Sequence, residues 1–246
     1  MRVLIFVFTV AFTGRELSGA TAAALLNEIE TLAAQGRYAE AEIQYRDLIA
    51  VQETVPALNA LVNFYHAQGR DRDAEPLCRR ALEIAERTLD PLDSTLAITL
   101  NSLAEIYRST GRYVSAEPLY RRALAILEAR LGPDHPWVAR VLNNVASLRV
   151  GTGHYEEASA LFQRALTISE KGGDRGQVTA ILNNLAVCAM DRGKYHDAER
   201  YLIRAVQLDT TMLSAVENYA TVLREVGRAG QARKLNDRIA KMKQQR

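Results

Sequence analysis

The chain has 246 residues, of which 48% are hydrophobic and 24% charged, with 31 basic and 29 acidic side chains. A formal net charge of +2 gives little long-range attraction to nucleic acid or to an anionic membrane. The length alone allows one or two domains, and no Ser/Gly-rich linker follows the first twenty residues.

The N-terminus departs from this ordinary composition. Arg2 precedes an apolar run from Val3 to Phe12, and small residues follow at Ser18-Gly19-Ala20. The run is too short to cross a bilayer as a helix and fits the hydrophobic region of a secretory signal. The sequence therefore predicts a signal peptide over residues 1–20 and an exported protein, periplasmic or secreted. The alternative is an apolar strand or helix packed on the first repeat of a cytoplasmic protein.

A glycine motif then recurs along the chain. Gly-Arg-Tyr or a close variant begins at Gly36, Gly69, Gly111, Gly153, Gly193 and Gly227. Subtracting successive glycine numbers gives spacings of 33, 42, 42, 40 and 34. Such a period is typical of stacked supersecondary units and not of one globular core, so it favours one continuous array.

The third repeat gives the clearest view of the unit. A first apolar stripe runs from Leu96 to Tyr107 in steps of three and four residues, which is the pattern of an amphipathic helix. Gly111 then interrupts the pattern as a C-terminal cap glycine does, and a second stripe runs from Ala116 to Leu127. Two helices joined by so few residues fold back antiparallel.

Small and large residues alternate in this unit in a way that predicts its packing. Ala104 and Ala116 allow the two helices to approach closely, and Tyr107 and Tyr120 fill the space between neighbouring hairpins. The first and last repeats keep this pattern weakly, as capping repeats do. We therefore expect an array over residues 22–243 with six repeats, of which the first and last are degenerate.

Four strings carry a resemblance to a known family. They are AEPLYRRAL at 116–124, LGPDHP at 131–136, LNNVA at 142–146 and LNNLA at 182–186. Together with the repeat skeleton they resemble the tetratricopeptide repeat (TPR) family and its kinesin-light-chain subtype. Arg149 and Ala189 depart from the pattern, because they stand where earlier repeats have tyrosine, and Gly172-Gly173 replaces the longer linker.

The resemblance implies an all-α, right-handed superhelical solenoid of about six antiparallel hairpins. It also implies a protein-binding scaffold without catalytic activity, because the family has many partners and no common reaction. In this family the first helix of each hairpin lines a concave groove. The positions of this sequence that match it are Asn59, Asn63, Asn101, Glu105, Arg108, Arg140, Asn143, Ser147, Asn183 and Met190.

An asparagine recurs at one place in four successive repeats of this set, at Asn59, Asn101, Asn143 and Asn183. A side-chain amide both donates and accepts hydrogen bonds, so a row of amides can hold the backbone of an extended peptide. The alternative is that the amides link neighbouring helices within the stack, and the two roles are compatible. No lysine lies among the groove positions, which argues against a clamp for a C-terminal carboxylate.

No motif of the chain indicates catalysis, a cofactor or a metal. The four histidines form no His-Glu-x-x-His, and there is no Gly-x-Ser-x-Gly or phosphate-binding loop. Cys78 and Cys188 lie in apolar helical patterns three repeats apart and are expected to fill the core. Asp134 and Pro136 are expected to begin a helix, and Trp137 is either a packing or a contact residue.

The sequence thus predicts a monomeric scaffold that binds a protein or peptide segment in its groove. A nucleic-acid-binding helical repeat is the first alternative, and it would need a basic groove with stacking aromatics. A structural adaptor that uses its convex face is the second.

Overall fold

The structure is a computed structural model that describes residues 17–244, and these residues contain twelve α-helices and no strand. They divide into two units, of which the first ends at Ile126 and the second begins at Leu127. The first contains α1 (Gly19–Ala34), α2 (Tyr38–Val51), α3 (Val55–Ala67), α4 (Asp71–Thr88), α5 (Ser94–Ser109) and most of α6 (Tyr113–Leu131). The second contains α7 (Pro136–Gly151), α8 (Tyr155–Gly172), α9 (Arg175–Asp191), α10 (Tyr195–Leu208), α11 (Leu213–Glu225) and α12 (Ala229–Gln244).

The repeated glycines end the first helix of each hairpin, as the sequence predicts. All six have φ between +68° and +78°, the left-handed region that favours glycine. The residue after each glycine donates its N–H to the carbonyl five residues earlier, for example Arg112 to Tyr107 at 2.7 Å and Lys194 to Ala189 at 2.8 Å. These bonds satisfy carbonyls that the helix end would otherwise leave unpaired. The predicted all-α array of helix hairpins is confirmed.

Helices pack in chain order within each unit. In the first unit α1 packs on α2, α2 on α3, α3 on α4 and α4 on α5, and α3 also contacts both α1 and α5. In the second unit the helices from α7 to α12 pack in the same succession, and α9 also contacts both α7 and α11. The first helices of successive hairpins therefore share one surface of each unit, which we call the first-helix face.

Small residues mark the close approaches and large ones fill the gaps, as expected from the repeat. Ala104 and Ala116 are fully buried, and Tyr107 and Tyr120 are 6% and 1% exposed. Phe162 takes the place of Tyr120 in the fourth hairpin and is also 1% exposed. Rings buried to this extent contribute a large share of the stability of a hairpin stack.

Both cysteines are free thiols in the core, which confirms their expected role. Cys78 lies on α4 and Cys188 on α9. Burial raises the pKa of the Cys78 thiol to about 12, so this group stays protonated at neutral pH.

The connections before α7 and α9 differ in detail from expectation. The side chain that caps α7 is that of His135, whose Nδ1 accepts the N–H of Trp137 at 3.2 Å, and not that of Asp134. Asp134 instead pairs with Lys171 at 3.2 Å. Before α9, Gly173 takes a left-handed cap conformation and Asp174 accepts the N–H of Gln177 at 2.9 Å. The glycine-rich connection is thus capped on both sides.

No helix within residues 17–244 combines the length and apolar character needed to span a bilayer. Most of the predicted signal peptide, residues 1–16, lies outside the described residues, so export stays a prediction.

Candidate functional site

Two hydrogen bonds between side-chain amides cross the first-helix face of the second unit. Asn184 on α9 donates through Nδ2 to Oδ1 of Asn143 on α7 at 2.9 Å. Asn218 on α11 donates in the same way to Oδ1 of Asn183 on α9, also at 2.9 Å. Each bond joins the first helices of two successive hairpins. We call these four residues the amide ladder.

The ladder leaves part of its hydrogen-bonding capacity unused. Asn184 and Asn218 are half-buried, and their amide oxygens accept no hydrogen bond from the part of the chain that the structure describes. Asn183 is only 7% exposed, and its amide oxygen is engaged by Asn218. The available acceptors of the ladder therefore belong to Asn184 and Asn218.

Sequence reasoning missed Asn184 and Asn218. For Asn184 the signal was present, since Asn143-Asn144 and Asn183-Asn184 are paired asparagines in the LNN strings, whereas Asn218 follows a glutamate. Neighbouring positions on a helix point in directions about 100° apart, so one asparagine of a pair can link the stack while the other faces outward.

The matching positions of the first unit are arranged differently. Asn59 on α3 is 6% exposed and donates through Nδ2 to Oγ1 of Thr99 on α5 at 2.8 Å. Its Oδ1 is buried without a hydrogen-bond partner in the described residues. Asn101 on α5 is half-buried, and Asn63 on α3 is exposed. Of these three, Asn59 lies inside the stack as a link between helices.

Charged side chains of the first unit pair with one another. Glu105 accepts hydrogen bonds from Arg108 at 2.5 Å and from the hydroxyl of Tyr120 at 2.6 Å. Burial raises the pKa of Glu105, but these bonds outweigh it and hold the pKa below its usual range. Arg108, a predicted groove residue, is thus compensated by a carboxylate of its own helix.

A second polar cluster lies beside this pair. His66 on α3 approaches Asp71 at 2.5 Å through Nδ1, and Asp71 accepts the hydroxyl of Ser109 at 2.6 Å. Burial raises the pKa of Asp71, whereas the hydrogen bonds from Ser109 and His66 lower it, and the net shift is downward. The cluster joins α3 and α4 to α5.

The second unit contains an uncompensated cation. Arg140 on α7 is exposed, and its guanidinium lies 4.4 Å from the ring centroid of half-buried Trp137. It has no carboxylate partner among the described residues. Two other predicted positions lie on first helices of this unit: Ser147 on α7 donates to the carbonyl of Asn143 at 2.9 Å, and Met190 on α9 is half-buried.

Residues 17–244 contain no group of histidine, cysteine and carboxylate side chains arranged to hold a metal. The arrangement of the second unit is one of hydrogen-bonding amides beside a cation and half-buried apolar side chains.

The repeated hairpins match the models of one known protein family. Models described as tetratricopeptide repeat match residues 22–43, 53–129, 95–171 and 178–208, which together cover well over half of the chain. No relative among curated protein sequences matches.

Solved structures with the same fold share little sequence with the chain. The TPR-like repeats of a Podosopora anserina kinesin light chain are 20% identical with a TM-score of 0.62, over 76% of this chain and 93% of that one. BtubC (BKLC) from P. vanneervenii is 23% identical with a TM-score of 0.64, over 91% and 89%. PilW, a type IV pilus biogenesis factor, is 15% identical with a TM-score of 0.68, over 90% and 93%. The helix hairpins, their glycine caps and these matches agree, and the chain belongs to the tetratricopeptide repeat family.

Proposed function

We propose that this protein is a non-catalytic scaffold that binds an extended peptide or protein segment on the first-helix face of its second unit. The residues assigned to this role are Arg140, Asn143, Asn183, Asn184 and Asn218. Asn59, Asn63, Asn101, Glu105 and Arg108 of the first unit remain predicted contacts that this proposal does not need.

The amide ladder is the observation that carries the proposal. An extended peptide presents a row of backbone N–H groups, and each needs an acceptor when it leaves water. The amide oxygens of Asn184 and Asn218 are such acceptors, and hydrogen bonds to Asn143 and Asn183 fix their side chains in place. Acceptors fixed in advance lose less side-chain entropy when a ligand binds.

Charge supports a preference within this site. Arg140 is exposed beside Trp137 and has no carboxylate partner within residues 17–244, so it can pair with an acidic side chain of the ligand. An exposed pair of this kind contributes little affinity by itself and weakens as salt rises. The amides therefore supply most of the recognition, and Arg140 supplies a bias toward acidic ligands.

Nucleic-acid binding and use of the opposite face are less well supported. Four of the tyrosines are buried between hairpins and are not available to stack on bases, namely Tyr45, Tyr65, Tyr107 and Tyr120. The net charge of +2 is also low for a nucleic-acid-binding surface. An adaptor that uses its second helices would bind its partner even when the ladder is removed, which the test below distinguishes.

The test is a peptide selection followed by a matched pair of variants. Peptides selected from a random library on the wild-type protein are labelled, and their dissociation constants are measured by fluorescence anisotropy. Asn143→Ala with Asn183→Ala should weaken binding about tenfold or more, which corresponds to about 1.4 kcal/mol. The matched control is Gln207→Ala with Gln231→Ala, which removes two exposed amides from second helices.

The control variant should bind as the wild type does, and circular dichroism of both variants should stay helical. Selected peptides that bind the folded ladder variant with unchanged affinity would place the site on another surface.

Export and a monomeric state belong to the same proposal. N-terminal sequencing of the protein from its native host should begin near Thr21 if residues 1–20 are a signal peptide. Intact Met1 in the cytosolic fraction contradicts export, and light scattering that gives twice the 27.3 kDa chain mass contradicts a monomer.

A further inference from the structure

A pocket on the first-helix face of the first unit is separate from the amide ladder. It has a volume of about 350 Å³ and lies between α1 and α3, above the start of α2. This volume is at the lower end of the range of ligand-binding pockets. Its lining includes Glu30, Tyr38, Tyr45, Asn63, Phe64 and Gln68.

Aromatic rings form the walls of this pocket. The ring of Phe64 lies 5.4 Å from that of Tyr45 and 6.2 Å from that of Tyr38, tilted by 53° and 55°. Tyr38 is 54% exposed, although its ring lies beside that of Phe64. Three tilted rings beside an open cavity can contact a flat or cationic group from more than one side.

The polar groups that line the pocket can accept hydrogen bonds, and none of the described residues in its lining is cationic. Glu30 is exposed, and no ion pair within residues 17–244 involves it. Tyr45 is 2% exposed, yet its hydroxyl has no hydrogen-bond partner in the described part of the chain. Burial, and secondarily the charge of Glu30, raises the pKa of Tyr45 to about 12, so the carboxylate lies near a neutral phenol. Gln68 donates to the carbonyl of Phe64 at 3.3 Å, which leaves its side-chain oxygen able to accept.

We propose that this pocket binds an arginine side chain carried by a peptide or protein ligand. A guanidinium is planar, stacks on aromatic faces and carries five N–H donors, whereas the lining offers rings and acceptors. The carboxylate of Glu30 supplies the complementary charge. An apolar side chain would contact the rings equally well but would leave the carboxylate and the phenol without a partner. The inference rests on the proposed function, because the arginine belongs to a bound segment.

Small probes test the pocket without any knowledge of the ligand. N-acetyl-L-arginine amide is titrated into the ¹⁵N-labelled full chain, and backbone amide shifts are followed. N-acetyl-L-citrulline amide has nearly the same shape without charge, and N-acetyl-L-leucine amide is apolar. The arginine probe should shift the amides of Asn63, Phe64 and Gln68 and saturate with a Kd on the order of 1 mM. The citrulline probe should bind at least tenfold more weakly.

A matched pair of variants identifies the carboxylate. Glu30→Gln should weaken binding of the arginine probe about tenfold. Glu28→Gln removes an exposed carboxylate from the same helix, two residues away and on a different side, and should leave the binding unchanged. The amide spectra of both variants should keep the wild-type dispersion.

The proposal is overturned if the leucine probe binds as tightly as the arginine probe or more tightly. It is also overturned if Glu28→Gln weakens binding of the arginine probe as much as Glu30→Gln does, or if the arginine probe shifts no amide of the pocket. The probe does not involve the ladder, so Asn143→Ala with Asn183→Ala should bind it normally. A failure of the arginine pocket is therefore distinguishable from a failure of the proposed function.

Discussion

The two units join successive hairpins on their first-helix faces by different chemistry. In the first unit the joint between α3 and α5 combines the neutral bond from Asn59 to Thr99 with a charged contact, since His66 on α3 lies 3.9 Å from Glu105 on α5. In the second unit the joints use neutral amides, with Asn184 on Asn143 and Asn218 on Asn183. The first unit thus adds charged groups to a joint that the second unit makes with amides.

The difference determines what each surface can offer a ligand. Glu105 is engaged by both Arg108 and Tyr120, and Asp71 by both His66 and Ser109. An amide has a donor and an acceptor, and a link that uses one leaves the other available. The neutral joint therefore stabilises the stack and retains binding capacity, whereas the charged joint mainly stabilises it.

Arginines at the turns continue the pattern of the first unit. Arg70 pairs with Glu42 at 2.6 Å and lies 4.2 Å from the ring centroid of Tyr65. Arg112 pairs with Glu75 at 2.6 Å and lies 4.3 Å from the ring of Tyr107. The second unit has Arg149 and Ala189 at the positions of these tyrosines, so its turns lack the stacked rings.

The largest expected effect concerns the rings between hairpins. Tyr120→Ala should destabilise the protein by about 3–5 kcal/mol, and Phe162→Ala should fall in the same range. Tyr120→Ala should destabilise the protein more than Phe162→Ala, because it also removes the hydrogen bond that the Tyr120 hydroxyl donates to Glu105. Urea unfolding followed by circular dichroism gives both values. Changes within about 0.5 kcal/mol of the wild type would mean that the register of the stack is wrong.

An overpacking variant tests the same register from the other side. Ala116 is fully buried where the two helices of the third hairpin approach. Ala116→Leu should cost about 1–3 kcal/mol, because the larger side chain forces the helices apart. Val114 is 90% exposed on the same helix, and Val114→Leu is the control that should leave the urea midpoint unchanged.

Acid should destabilise the first unit more than the second. Hydrogen bonds from Arg70 and Arg112 lower the pKa of Glu42 and Glu75, and the pKa of Asp71 and Glu105 is lowered as well. A carboxyl whose pKa is lower in the folded state stabilises the fold above its ordinary pKa, and this stability is lost as the pH falls. The amide ladder does not titrate in this range.

Hydrogen exchange can resolve this difference by residue. Between pH 7 and about pH 4, protection factors corrected for intrinsic rates should fall more in α3 to α5 than in α7 to α11. Equal losses in both units would contradict the assignment of the charged joint to the first unit.

The smallest effect is expected from a single ladder link. Asn184→Ala removes one hydrogen bond between α9 and α7 and should cost about 0.5–1.5 kcal/mol. Because the link is neutral, the cost in unfolding free energy should be the same in low salt and in about 0.5 M NaCl. An exposed ion pair, in contrast, would be weakened by screening at the higher salt concentration. A cost that changes strongly with salt would indicate that charge, and not the amide, joins these helices.

The sequence predicted the hairpins because their determinants are local. Gly111 and Gly193 end helices through their own backbone conformation, and the spacing of Ala116 and Tyr120 fixes which residues face inward. Pairing across hairpins is not local. Asn59 and Asn143 share a repeat position, but Thr99 lies opposite the first and Asn184 opposite the second.

Two further features were not predicted, one because a local signal in the sequence was not used and one because it depends on packing between helices. Glu105 lies three residues before Arg108, so their pairing was visible in the sequence as an i,i+3 contact. The pocket beside Phe64 was not visible, because Glu30, Tyr38 and Phe64 come from three helices. A repeat pattern predicts which face a residue occupies, whereas the neighbour that it meets there depends on the packed structure.

The side-chain amide groups of the ladder provide the most direct test of the central claim. The protein is uniformly labelled with ¹⁵N and titrated with a peptide selected on the wild type. The account predicts saturable shifts of the side-chain NH₂ signals of Asn183, Asn184 and Asn218, with the same Kd that anisotropy gives. Saturable binding that leaves these three signals unmoved, while residues of α8 and α10 shift, would contradict it.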